Sequence, residues 1–125
     1  MGHVCLWLSL TAFALAFGCG KGSEQPAAGG DDPVSRGRKL YAANGCNVCH
    51  GSEGRGDGPV SRSLNPKPRD FSDRSGYRRG PGLAEIEETI EKGLHTNQGV
   101  MPAFPSIQPE DRRHLALFIQ SLQSK

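Results

Sequence analysis

The residues best placed to do chemistry in this 125-residue chain lie in one short run, Cys46-Asn47-Val48-Cys49-His50. Two thiols two residues apart, with an imidazole directly after the second, have the spacing of covalent haem attachment. The spacing has a chemical reason. Two thiols add across the two vinyl groups on one edge of a porphyrin, and the residues between them span that edge. The histidine that follows then lies beneath the iron and offers it a ring nitrogen. A C-x-x-C pair can also form a thiol–disulfide centre, but that chemistry goes with a βαβ setting, and no such pattern is present. It can be half of a zinc site, but no second cysteine pair follows to complete four ligands. The other two cysteines, Cys5 and Cys19, lie in the N-terminal segment.

Iron held by His50 needs a sixth ligand. Met101 is the only methionine besides the initiator, and it sits in Gly99-Val100-Met101-Pro102-Ala103-Phe104-Pro105. That segment reads as a loop between two helices, stiffened by its prolines. A lone methionine is commonly core filler, but here it stands ready for a metal that lacks a partner. A His50/Met101 pair favours a higher reduction potential than two histidines, because thioether sulfur stabilises ferrous iron. His95 and His114 are the competing ligands, and both read better as surface or helix-end residues. With both axial positions filled by strong ligands, no substrate reaches the iron without displacing Met101. No catalytic residue is therefore assigned.

These residues need helices to position them. Pro33 to Asn44 is predicted as the first, with Val34, Gly37, Leu40 and Tyr41 on one face and Asn44-Gly45 as the stop. Leu83 to Leu94 is the second, with Leu83, Ile86, Ile90 and Leu94 as its apolar stripe. A third starts near Pro109, where Glu110 and Asp111 favour its N-terminus and Leu115, Phe118, Ile119 and Leu122 form its buried face. Residues 51–81 are rich in Gly, Pro and Ser without periodicity, and a loop this long needs something to wrap. No strand is predicted.

Composition supports a stapled core. Gly and Pro together number 26, hydrophobic residues make up 35% and aromatics 6%. That is a thin apolar supply, and a buried cofactor would make good the deficit. The apo-chain is therefore expected to be largely unfolded. The net charge of +2 points to neither nucleic acid nor an anionic membrane surface as the main partner. Between residues 62 and 79, however, six bases (Arg62, Lys67, Arg69, Arg74, Arg78, Arg79) face only Asp70 and Asp73, a local excess of +4.

Ahead of the first charged residue, Lys21, residues 4–17 form an uncharged apolar run ending in Ala16-Phe17-Gly18-Cys19. The run is short for a bilayer span, which takes about 20 residues, and suits the apolar region of an export signal. Small residues before Cys19 resemble the lipobox of bacterial lipoproteins. That resemblance implies a signal peptide over 1–18 and acylation at Cys19. Ala14-Leu15-Ala16 also reads as an ordinary cleavage site that would free a soluble protein, and an uncleaved anchor is the third option. Residues 19–32 read as a flexible tether, long enough to let a domain roam on the order of 20 Å.

From about Val34 onward the sequence resembles the class I c-type cytochromes. The resemblance rests on the C-x-x-C-H motif, the loop methionine, the Gly56-Asp57-Gly58-Pro59 segment and the run Ala116 to Leu122. It implies an all-α domain over 33–125, with three main helices and long loops wrapped around one haem c. It implies thioethers from Cys46 and Cys49, axial ligation by His50 and Met101, and contact of Gly37 with Phe118 where the first and last helices cross. It further implies that the Pro59 carbonyl accepts the proton of His50's other nitrogen, and that Arg69 meets a haem propionate.

The function so implied is single-electron transfer in a respiratory chain at the outer, periplasmic face of a bacterial membrane. The redox partners would be proteins such as a quinol-oxidising complex and a haem-copper oxidase. The alternatives are a fixed haem subunit of a larger membrane oxidoreductase complex, and a ligand sensor or peroxidase-like enzyme with a labile Met101.

Overall fold

The computed structural model describes residues 30–97 and 99–124. The expected signal peptide, Cys19 and most of the tether lie outside the described residues.

Asp32 opens the first helix, α1 (Pro33–Ala43), by accepting the backbone N–H groups of Val34 and Ser35 at 3.0 and 3.2 Å. Two of the helix's unpaired first-turn donors are satisfied in this way. Pro33 at the first position needs no partner there. At the other end the Asn44 side chain donates to the Leu40 carbonyl at 2.8 Å, and Gly45 turns the chain with φ +71°. The stop falls where the sequence places it. Its consequence is a new helix, since Gly45 is also the N-cap of α2 (Cys46–His50), the five-residue turn that carries both thiols and the imidazole.

The last helix, α4 (Pro109–Ser121), buries Leu115, Ala116, Phe118 and Ile119 and crosses α1 closely. Gly37 is the crossing point. A Cβ there would overlap the His114 carbonyl and come within 2.8 Å of the Phe118 Cβ. Tyr41, one turn along α1, meets Phe118 edge-on with ring centroids 5.2 Å apart. The contact implied between Gly37 and Phe118 is present.

A further helix, α3 (Leu83–Lys92), packs against α4, with Ile86 and Ile90 buried and its C-terminus closed by Gly93. Ion pairs Arg112–Glu91 and Arg113–Glu87, both 3.4 Å, join it to α4, and Arg36–Asp111 at 2.7 Å joins α1 to α4.

One expectation fails here. Leu94 does not extend α3. It opens a hairpin of two antiparallel strands, β1 (Leu94–Thr96) and β2 (Gly99–Met101), in which Leu94 pairs with Met101 and Thr96 with Gly99. The strands are three residues each, too short for a period-two pattern to show in sequence. Their pairing is closed by the Thr96 hydroxyl, which accepts from the Gly99 N–H (3.0 Å) and donates to the Gly99 carbonyl (2.9 Å).

The wrapping loop, predicted over 51–81, runs from 51 to 82, with one-turn 3-10 segments at Ser61–Ser63 and Arg74–Gly76.

Candidate functional site

α2 ends with carbonyls that no helical residue can meet. The loop supplies their donors in reverse order: Gly56 N–H to His50 O (2.9 Å), Gly58 N–H to Cys49 O (3.2 Å) and Val60 N–H to Val48 O (3.2 Å). This antiparallel seam explains the glycine spacing, because a Cβ on Gly58 would overlap the Val48 carbonyl and lie 2.6 Å from the Cys49 carbonyl carbon. The loop thus locks the thiol-bearing turn from below through backbone bonds.

That seam also corrects one expectation. Pro59, which has no N–H to contribute, lies on the exposed outer side of the loop. The carbonyl facing His50 Nδ1 is that of Arg69, at 3.2 Å. The backbone at Pro68-Arg69 crosses directly over Gly56, which brings this carbonyl to the ring. A carbonyl only accepts, so Nδ1 carries the proton and Nε2 keeps the lone pair. Burial holds the His50 pKa below the ordinary imidazole range, which favours the neutral ring a metal requires.

Phe71 completes the setting of His50. Its ring stacks on the imidazole with centroids 4.6 Å apart and planes 22° from parallel. Its N–H donates to Gly54 O at 2.7 Å, and its carbonyl accepts the Tyr77 hydroxyl at 2.9 Å. It is the sole aromatic residue between the thiol motif and Tyr77.

Cys46, Cys49, His50 and Met101 all border one cleft of about 310 Å³ between α2, α3, the loop and the hairpin. That volume is within the range of small-molecule sites, about 300–1,000 Å³. Ile86, Ile90, Phe104 and Ile119 contribute to its apolar wall. The two thiols are not bonded to each other. Burial pushes the Cys46 thiol up to about 11, the opposite of the depression that makes a thiol-exchange centre reactive. Met101 comes from β2. His95 is exposed and lies on the strand face away from Leu94 and Met101, and His114 stands on α4 at the Gly37 crossing. The Arg69 guanidinium lies 5.2 Å over the Tyr77 ring at the cleft wall. Leu64 and Val100, 40% and 64% exposed, form part of the rim.

The cytochrome c family model matches residues 34–123, which is the described fold almost in full. The chain belongs to the cytochrome c family. Cytochrome c-551 of Pseudomonas denitrificans is 30% identical over 90 residues, 71% of this chain and all of that one. Among solved structures, a chain of the reducing HAO-like protein complex of Kuenenia stuttgartiensis superposes with a TM-score of 0.64 at 28% identity. The match covers 79% of this cytochrome and 47% of that chain, so this chain spans about half the length of that structure.

Membership makes this a class I c-type cytochrome, a haem-based electron-transfer protein. The residues present fit that cofactor. The cleft is apolar, its histidine is neutral with a free lone pair, and its two thiols are not bonded to each other.

Proposed function

We propose that this cytochrome carries single electrons through one haem c, which Cys46 and Cys49 would hold covalently and whose iron His50 and Met101 would bind. The observation that carries the reading is the convergence on one apolar cleft of two thiols, an imidazole and a thioether drawn from α2 and β2. When bound, the haem supplies an iron that alternates between the ferric and ferrous states. The chain's own groups do the rest. Arg69 O and the Phe71 ring fix the His50 ring, and the apolar walls exclude water from it. Arg69 at the cleft wall serves as a propionate partner.

The cellular setting follows from the N-terminal sequence. The apolar run before Cys19 supports export to the periplasmic side and a lipid anchor at that residue. The tether then keeps the carrier near respiratory partners in the membrane. A second reading, a fixed haem subunit of a larger oxidoreductase, draws support from the likeness to a chain of a multi-protein complex.

Intact mass of the protein purified from membranes of a host competent in cytochrome maturation tests the proposal. The expected mass is that of a chain beginning at Cys19 with one haem and the acyl chains added. A colourless product without haem would overturn the site. A haem-bearing product lacking the acyl mass would overturn the anchor alone.

A further inference from the structure

The hairpin that carries Met101 is short, and a two-stranded hairpin alone is marginally stable in water. The position of the thioether therefore depends on what ties β1 and β2 to the helices. After Met101, the Phe104 N–H donates to the Ile90 carbonyl at 2.9 Å. Before it, the chain leaves α3 at Gly93, with φ +67°. Gly93 packs so tightly on the strand that a Cβ would fall 2.5 Å from the Met101 carbonyl oxygen and 2.8 Å from the Ala103 nitrogen. Any shift of Gly93 is thus transmitted to Met101.

The Gly93 N–H is bonded to Thr89 O at 2.9 Å. Its carbonyl accepts from Arg79 Nη1 at 2.8 Å. The same guanidinium reaches the Thr89 hydroxyl at 3.5 Å and the Glu88 carboxylate at 3.8 Å. Arg79 belongs to the wrapping loop and borders the cleft. One side chain therefore joins the loop wall to the last turn of α3 and to the root of the hairpin.

We propose that Arg79 is a positioning residue for Met101, its hydrogen bond to the Gly93 carbonyl fixing the hairpin root and so holding the thioether at the iron. The inference rests on the ligand assignment given under Proposed function. The Glu88 contact is long and partly exposed, and contributes little. The carbonyl bond is charge-assisted and short, and it is the part that matters. Lysine replaces it poorly, since its ammonium is a point charge on a shorter reach and lacks the planar fork that holds the Gly93 carbonyl with the Thr89 hydroxyl alongside.

Imidazole competes with a thioether for the sixth position of ferric haem, so its titration against the ferric holoprotein measures how firmly Met101 is held. Arg79→Leu should raise imidazole affinity about tenfold, the factor that the loss of a charge-assisted hydrogen bond commonly produces. The long-wavelength absorption of ferric iron bound to thioether should weaken in parallel. Arg79→Lys, which keeps the stem and charge, should shift in the same direction and guards against failure of the leucine variant to fold. Glu88→Gln should stay within about twofold of the parent, as expected for a weak ion pair.

Parental imidazole affinity in both Arg79 variants would overturn the proposal while leaving the ligand assignment intact. An equal rise in Gly37→Ala, a substitution at the distant α1–α4 crossing, would also overturn it, by showing that general softening is enough. A parent spectrum without thioether absorption would remove Met101 as ligand, and the role of Arg79 with it.

Discussion

At the scale of single residues, His50 and Met101 are held by different means. His50 is fixed by a carbonyl on Nδ1 and a ring stacked on its face, both from one turn of loop, Arg69 to Phe71. Because Arg69 acts on His50 through its backbone, substitution of its side chain should leave the histidine bound. Met101 is carried by a short hairpin. Met101→Ala should therefore leave haem attached to a protein that binds carbon monoxide in the ferrous state and has a lower reduction potential than the parent. Spectroelectrochemistry reads both. An unchanged potential and spectrum would show that another side chain occupies the sixth position.

At the scale of elements, α1 and α4 form the frame against which α2 and the loop are set. Their closeness depends on Gly37, where any larger residue pushes the His114 carbonyl and the Phe118 side chain apart. Gly37→Val should destabilise the holoprotein by about 1–3 kcal/mol, the usual cost of overpacking, as read by denaturant unfolding followed at the helical circular dichroism signal. Tyr41 extends the effect to the site. Its hydroxyl donates to the Gly51 carbonyl at 2.8 Å, just after His50, and its ring faces Phe71 edge-on at 6.4 Å. A displaced α1 would therefore disturb the group stacked on the imidazole. A stability equal to the parent's would mean that the helices can separate at no cost, contrary to this packing.

At the scale of the whole molecule, charge is distributed unevenly. On the helices, acids and bases pair: Arg36 with Asp111, Arg112 with Glu91, Arg113 with Glu87, Lys92 with Glu88. In the wrapping loop, Asp70 and Asp73 instead bind their own local Ser72 and Ser75, and of the six bases there Arg79 reaches Glu88 on α3. Arg62, Lys67, Arg74 and Arg78 are exposed there, and Lys67 and Arg78 border the cleft beside Leu64 and Val100. An acidic redox partner would be steered to this face. Its reduction of, or by, the cytochrome should slow by on the order of tenfold as ionic strength rises from low to above physiological, since charges beyond about 8 Å are then screened. A rate indifferent to salt would reject the docking face.

The sequence alone determined the haem motif, the lone methionine between two helices and the stop of the first helix at Asn44-Gly45. Each depends on residue type at a fixed short spacing, so local chemistry is enough to show it. Tertiary structure decided what joins distant segments. It put the Arg69 carbonyl, not that of Pro59, on His50, because the glycine seam under α2 turns Pro59 outward and carries residues 68–69 across the ring. It placed Phe71 on the imidazole and drew Met101 into a strand pair with Leu94. A backbone carbonyl has the same chemistry at every position, and a three-residue strand has no period of its own. Which carbonyl and which strand are used is settled only when the whole chain closes around the cleft.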